Sequence, residues 1–455
     1  MTASLPPPAS YEAAKSYLLG LDARGIKLDL ERMRASLAAL GSPERSFPAI
    51  LVAGTNGKGS TSAMLASVLA AGGRRVGLFT SPHLLDLRER IRVDGRLLSP
   101  QQVTERVEQD REVWERHELS FFEAMTALGL SAFRAAQVDV AVLEVGLGGR
   151  LDATNTVEPT LSIITSLGMD HAELLGDTPA AIAREKAGIL RTGVPAVAAG
   201  GPPQAVAAVR ARAAELGAPF LLRRACLSVR RAAGETTPAT ERWEIRRRDG
   251  APPLVALSEN PLRVSVPLAG FHQGVNAATA VLALAALRGL GWKISTDEIT
   301  AGIARVRWPG RLERPLAELP LIADVAHNRE GAEAIARVLA PIARRREIRP
   351  VVGMVGGKDH AGFFHALRRI ATRVWIASPA TARAATVDEL RAAALRAGLE
   401  VAVHPSIAAA LRDALRGASD PVGPLVLLAG SFFTLEEGYR ALDLGPRESL
   451  WEASS

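Results

Sequence analysis

Short apolar runs alternating with amphipathic stretches set the layout of this chain. Ile50–Ala53, Val76–Thr80, Val138–Val145, Thr160–Ser166 and Ala196–Ala199 are dominated by Val, Ile, Leu and Ala. Runs of that length without polar alternation predict strands covered on both faces. Between them apolar positions recur at helical spacing, predicting helices over Thr61–Ala71, Pro100–Arg116, Ser120–Ala136, Thr178–Leu190 and Pro203–Leu216. Two more amphipathic helical stretches fall within Tyr11–Leu40, behind a Pro-rich lead from Met1 to Ser10. Arg88–Val93 followed by Asp94-Gly95 predicts a strand and turn. Strands and helices in this rhythm specify an α/β fold with a doubly wound, mostly parallel sheet.

The pattern changes over residues 219–268, where short β-like runs carry many Arg with several Pro and Gly, predicting a hairpin-rich insertion. Helical spacing returns at Asn276–Leu290 and Thr296–Ala304. Trp308-Pro309-Gly310-Arg311 then breaks the helix and predicts a linker. A second alternation follows, with strands expected at Leu319–Asp324, Pro350–Met354, Val374–Ala377, Glu400–Val403 and Leu425–Ala429. The expected organisation is therefore a larger domain over residues 1–307 and a smaller Rossmann-like α/β domain over 308–455. A chain of 455 residues exceeds the size at which one core keeps growing.

Composition narrows the partners. With 48% hydrophobic and 4% aromatic residues, the chain has ample material for helices packed on sheets. The 55 basic against 48 acidic residues leave +7, which attracts anionic small molecules. The Arg clusters at 223–224, 246–248 and 344–346 have no interleaved aromatics, so they predict solvated faces and no nucleic acid. Cys226 is the single cysteine, which excludes an intrachain disulfide and a cysteine-built metal site. The N-terminus lacks a basic segment followed by an apolar core, and no apolar run approaches the ~20 residues of a membrane span. A cytoplasmic, monomeric protein with no membrane partner is expected.

Candidate chemistry begins where the first buried strand ends. Gly54-Thr55-Asn56-Gly57-Lys58-Gly59-Ser60-Thr61 joins that strand to a helix. Glycines let the backbone N–H groups converge, and the helix N-terminus adds partial positive charge, so this is a phosphate cradle. Lys58 can reach the outer phosphates, while Ser60 or Thr61 offers a hydroxyl to Mg²⁺ or a phosphate oxygen. The usual P-loop spacing would put Gly where Val52 sits and Ser or Thr where Gly59 sits. Lys58 with hydroxyls behind it nevertheless points to a nucleotide phosphate.

In open parallel sheets ligands sit beyond the carboxyl ends of strands. Ser81-Pro82-His83, Glu144 and Met169-Asp170-His171 lie at three such ends. A carboxylate inside Val-Leu-Glu-Val is costly unless paired or bound to a cation, and a hard cation prefers oxygen ligands. Taken alone, these residues support an ATP·Mg enzyme or switch and leave the reaction open.

Four motifs occur together and in order: residues 54–60, Thr80-Ser81-Pro82-His83, the stretch from Gly146 to Asn155 (GLGGRLDATN), and Glu185-Lys186-Ala187-Gly188-Ile189. From about residue 10 to about residue 440 the chain resembles bacterial dihydrofolate synthase/folylpolyglutamate synthase, the folate branch of the Mur ligase superfamily. The resemblance implies that ATP phosphorylates a carboxylate of dihydropteroate or a folate, and that L-glutamate then attacks the acyl phosphate. It implies two Mg²⁺ ions, with Ser81, Glu144 and His171 as ligands and Lys186 carboxylated on Nζ to supply a further oxygen. Lys58, Lys186, His171 and His327 become the implied catalytic residues.

The resemblance also implies that Asn276 lies on the adenine side of ATP, with Arg311 and Asp324 reaching it from the linker and second domain. Ser120, Phe121, Phe122, Glu123, Leu151, Asp152 and Ala153 would face the pterin, and Ser431 would lie at the glutamate end. The chain departs from the family pattern at Val325 and Arg329, where Gly and Pro are usual, and at Gly356-Gly357-Lys358-Asp359, which lacks an acidic residue before Lys. A folylpolyglutamate-only ligase, a peptidoglycan-precursor ligase and a nucleotide-binding regulator without catalysis are the competing readings.

Overall fold

The computed structural model describes residues 10–25, 27, 29–169, 171–232, 241–418 and 423–451. The Pro-rich lead before Ser10, Asp170, and residues 233–240 of the insertion lie outside the described residues.

The first sheet has eight strands: β1 (Ala49–Ala53), β2 (Val76–Phe79), β3 (Ile91–Val93), β4 (Arg96–Leu97), β5 (Val140–Glu144), β6 (Pro159–Ser166), β7 (Ala196–Gly200) and β8 (Phe220–Leu222). Their order is β4-β3-β2-β5-β1-β6-β7-β8. Six strands run parallel, and β3 and β4 close one edge antiparallel. β1 sits between β5 and β6, pairing Val52 with Glu144 on one side and Ile163 on the other. The chain leaves β1 first toward β2 and later returns past it to β6, so a topological switch opens a crevice at the carboxyl end of β1.

Alternation along β1 builds two cores from one strand. Ala49, Leu51 and Ala53 face the core that holds the helix Phe121–Ala135. Ile50 and Val52 face the other, with the helices Lys58–Ala71 and Phe271–Gly289. Residues i and i+2 share a face in a strand, so a strand covered on both sides must be apolar throughout. The absence of alternation in the sequence has this cause.

The insertion forms a three-stranded antiparallel sheet of β9 (Leu227–Arg231), β10 (Glu241–Arg247) and β11 (Leu262–Val266), ordered β11-β10-β9. Its Trp243 and Ile245 are fully buried. Trp243 lies over Gly274, where a Cβ would come within 2.6 Å of the indole. The second unit is a parallel sheet of β12 (Leu321–Asp324), β13 (Ile348–Val352), β14 (Arg373–Ile376), β15 (Glu400–Val403) and β16 (Leu425–Ala429), ordered β12-β16-β13-β14-β15.

Several boundaries differ from the sequence expectation. The phosphate-loop helix starts at Lys58 instead of Thr61, because Gly57 takes φ +85° and launches the helix directly. The helix expected from Asn276 starts at Phe271, after Gly270 at φ +107°. Residues 87–90 form a 3₁₀ turn ahead of β3, and Phe220–Leu222 joins the main sheet instead of the hairpins. Among the described residues no helix is long and apolar enough to cross a membrane.

The last described residues return to the first unit. Leu97 N–H donates to Glu448 O at 3.1 Å and Leu450 N–H to Gly95 O at 3.0 Å. Arg92 Nη2 donates to Arg447 O at 2.9 Å. Leu450 and Trp451 are buried in the first unit's core, with Trp451 beneath Gly95. Trp451→Ala is therefore expected to destabilise the first unit by about 3–5 kcal/mol, the usual cost of deleting a buried aromatic. Urea unfolding measures this, and a loss below about 1 kcal/mol would show that the tail is not part of that core.

Candidate active site

The phosphate loop is shaped by what its glycines leave out. Gly54 sits at φ +150°, where a Cβ would fall 1.8 Å from Thr165 Oγ1. A Cβ on Gly57 would fall 2.5 Å from Asn276 Oδ1, and one on Gly59 2.9 Å from the Trp308 indole. Neighbouring β6 ties the loop down. Thr55 N–H donates to Ser166 O at 2.7 Å, and Asn56 N–H to Ser166 Oγ at 3.0 Å. Thr55 Oγ1 both donates to Gly168 O and accepts from Gly168 N–H.

Lys58 Nζ donates to Gly54 O at 3.2 Å, and Lys186 Nζ donates to the same carbonyl at 3.0 Å from 132 residues away. Lys186 is only 4% exposed, on the last turn of the helix Pro179–Ala187. The helix at Lys58 has no side-chain N-cap, and the buried hydroxyls of Ser60, Thr61 and Ser62 have no hydrogen-bond partner among the described residues. Uncapped N–H groups, orphaned hydroxyls and a glycine cradle are the donor set a polyphosphate needs.

Glu144 ends β5 beside this loop. Its Oε2 accepts from Ser81 N–H at 3.1 Å. Burial pushes its carboxyl above the usual range, while Lys58, the Ser81 N–H, Arg311 and Arg90 favour the ionised form. Arg90, missed by sequence reasoning, is 7% exposed. Its guanidinium lies 5.0 Å from the Phe121 ring centroid, and Nε donates to His83 Nδ1 at 2.8 Å. Burial and Arg90 hold His83 down at about 3, so the ring is neutral with its proton on Nε2.

Arg311 comes from the linker. It is partly buried, with its guanidinium 5.7 Å from the Phe432 ring centroid. Burial lowers its pKa, and Asp324 and Glu144 oppose that shift. Asp324 Oδ2 accepts from Leu312 N–H at 2.9 Å and Oδ1 from Ala326 N–H at 2.8 Å, so it fastens the linker to β12. His327 Nδ1 lies 3.0 Å from Val325 O. Ser431 caps the helix Phe432–Ala441, accepting from Thr434 N–H at 3.1 Å. Asn276 Nδ2 donates to Gln273 Oε1 at 3.0 Å, with the amide against Gly57.

Several of the residues expected to face the pterin have partners within the fold. Ser120 N–H and hydroxyl both donate to Glu123 Oε2, at 2.8 and 2.7 Å, and Glu123 Oε1 lies 3.3 Å from Arg32 Nη2. These two residues start a helix and fix the Arg32 segment, a capping job that S-x-x-E spacing signals. Asp152 is likewise spent inside its loop, accepting from Leu147 N–H at 2.8 Å, Thr154 N–H at 3.0 Å and Thr154 Oγ1 at 2.6 Å. Ala153 is core, while Leu151 is partly exposed. Phe121 lies under Arg90, and Phe122 packs over Gly146.

The implied metal set is gathered only in part. Ser81 and Glu144 are bonded, but among the described residues no three His, Cys, Asp or Glu side chains are arranged to hold a metal ion. His171 sits at φ +51° with its side chain 41% exposed, Nδ1 3.8 Å from Glu173. Lys186 as an ammonium is a donor, and becomes an oxygen ligand only after carboxylation. Beyond Arg90, no sequence signal marked Asn328, whose Nδ2 donates to Asn56 Oδ1 at 3.1 Å, or Trp308, whose indole packs on Gly59.

Residues 52–284 match the Mur ligase middle domain, and residues 310–432 match the Mur ligase glutamate ligase domain. Dihydrofolate synthase/folylpolyglutamate synthase of Bacillus subtilis (strain 168) is 34% identical over 437 residues, covering 94% of this chain and 98% of that protein. The Escherichia coli (strain K12) protein of the same name is 35% identical, with 94% of each chain covered. The chain belongs to the Mur ligase family, in its dihydrofolate synthase/folylpolyglutamate synthase branch.

Solved members of this Mur ligase branch share the fold along nearly the whole chain. Mycobacterium tuberculosis folylpolyglutamate synthase with ADP superposes with a TM-score of 0.85 at 31% identity, covering 96% of this chain and all of that one. E. coli FolC with DHPP and ADP gives 0.83 at 32%, covering 96% and 99%. A further bifunctional member, solved with Mn, AMPPNP and L-glutamate, gives 0.81 at 30%, covering 97% and 100%.

Two outcomes test the site as built. Gly57→Ala would strain a positive-φ position and collide with Asn276, so ATP affinity is expected to fall at least about tenfold, read by calorimetric titration. Asp152→Ala would strand three buried donors, and a stability loss of about 3 kcal/mol is expected. A variant of normal stability with only a raised acceptor KM would return Asp152 to the substrate.

Proposed function

We propose that this chain is an ATP-dependent carboxylate–amine ligase that joins L-glutamate to dihydropteroate and to the glutamyl tail of folates. The observation that carries the reading is convergence at the crevice beside β1. Lys58, Arg90 and Arg311 each favour the ionised form of the buried Glu144 carboxyl, and Arg311 lies on the linker to the second unit. An acceptor carboxylate and a triphosphate repel each other, and preorganised cations in a partly dehydrated site remove that barrier.

The acceptor carboxylate oxygen attacks the γ-phosphorus, and the bond to the β-phosphate oxygen breaks to release ADP. The glutamate amine then attacks the acyl carbon, loses a proton and expels phosphate, leaving an amide. Lys58 and the first-turn hydroxyls of Ser60 and Thr61 hold the phosphates. Asn276 flanks the nucleotide from the helix Phe271–Gly289. Arg311, positioned by Asp324, neutralises charge on the transferred group, and His327 and Ser431 lie toward the glutamate end. Phe121, Phe122 and Leu151 offer the pterin its apolar wall.

Ser81, Glu144 and His171 would hold one Mg²⁺ and carboxylated Lys186 a second, and ions bound there would supply charge neutralisation at the phosphoryl oxygens. The place of Lys186, buried with its Nζ on Gly54 O at the phosphate loop, supports the carboxylation, in which the amine adds to CO₂ and loses a proton to give the carbamate. Residues 1–307 and 308–444 act as two units, the tail from 447 belonging to the first, in a cytoplasmic monomer.

Purified protein given dihydropteroate, ATP and glutamate is expected to release ADP and yield dihydrofolate by mass. Release with a reduced folate but not with dihydropteroate would remove the synthase half, and ATP binding without turnover on either acceptor would favour a nucleotide-binding regulator. Lys186→Ala is expected to abolish ligation while ATP binding survives. Near-normal turnover in that variant would contradict the carboxylated-lysine role.

A further inference from the structure

A side-chain amide of the second unit reaches the phosphate loop itself. Asn328 Nδ2 donates to Asn56 Oδ1 at 3.1 Å across 272 residues of chain. The other end of the same amide is also used, Oδ1 accepting from Gly331 N–H at 2.9 Å to cap the helix Arg329–Ala343. Asn328 is 6% exposed, so water does not readily replace the partner that Nδ2 finds on Asn56. On the far side of the contact the Asn56 backbone is fixed by Ser166, whose Oγ accepts from its N–H and donates to its carbonyl, each at 3.0 Å. The contact therefore joins a helix end of one unit to a rigid point on the other.

Covalently the two units are joined by the linker near 308, and the returning tail crosses back beside it, Arg307 N–H donating to Leu450 O at 2.8 Å. Two adjacent crossings form a hinge and leave the angle between units to non-covalent contacts. Arg311, on the second-unit side of the linker and next to the Leu312 N–H that Asp324 accepts, interacts electrostatically with Glu144 of the first unit, so the angle between the units bears on that interaction.

We infer that Asn328 is a positioning residue, a latch that holds the second unit against the phosphate loop in the arrangement that sets Arg311 opposite Glu144. The inference rests on the ligase reading above and extends it. Nucleotide affinity is not its main task, because the glycines, Lys58 and the first-turn hydroxyls that grip the phosphates belong to the first unit. The latch governs the ligation step.

Asn328→Ser and Asn328→Ala separate the two jobs of the amide. Ser is as good an N-cap as Asn but has no N–H to reach Asn56, whereas Ala loses both. Both variants are expected to lower kcat by about three- to tenfold, the equilibrium factor of one neutral hydrogen bond, with KM for ATP unchanged. Only Ala should lower the melting temperature. Asn328→Ser added to Asn56→Ala should cost nothing further, and scattering of the Ser variant with ADP should show a larger radius of gyration than wild type. Wild-type kcat and radius in the Ser variant would overturn the latch, as would a raised ATP KM at unchanged kcat or additive losses in the double variant. Failure of the ligase reading looks different: wild type itself would release no ADP on adding glutamate, while the scattering comparison would still report on the latch.

Discussion

The structure depends on bringing positive charge together at the end of one buried strand without letting water dissipate it. β1 is apolar on both faces because two cores need it, and it must end in glycine because Thr165 occupies the space of a side chain at position 54. The backbone amides, Lys58 and Lys186 are gathered at that point by the same turn. Taking charges out of water is expensive, and the cost is met only when opposite charges and hydrogen bonds surround them. Glu144 has that role, placed at the parallel register of Val52 and facing cations from three separate elements.

Neither unit completes this arrangement alone. The first supplies the cradle and Glu144; the linker supplies Arg311, fastened by Asp324 at the end of β12. The tail binds back onto β3 and β4 through Arg92 and the backbone of Glu448 and Leu450. The chain crosses between its units twice at neighbouring points, Arg307 N–H donating to Leu450 O, so the covalent connections act as a hinge and the angle between the units is left to side-chain contacts.

Much of the candidate site was legible because its residues are awkward in an ordinary core. Glycines at positive φ, a lysine behind them and a glutamate within a buried strand need special circumstances, and the pattern exposes them. The stretches around Ser120–Glu123 and Leu151–Ala153 were less legible. Ser120, Glu123 and Asp152 are polar residues in a suggestive stretch, yet their oxygens close a capping box and a tight loop. Arg90 escaped notice because its neighbours Arg88 and Arg92 give it the look of a solvated strand, whereas packing seats it between Phe121 and His83.

The amino-acid pattern by itself determined the strands, the phosphate loop and the break at Trp308-Pro309-Gly310, since each follows from periodicity or from local backbone limits. It could not determine where helices start when the start is set by a left-handed glycine, as at Gly57 and Gly270. Only the tertiary structure decided which polar side chains are spent on the fold and that Asn328 meets Asn56. It also decided that residues 447–451 complete the core of the opposite unit. The Asn328–Asn56 contact and the return of the tail are pairings hundreds of residues apart, which no local preference encodes.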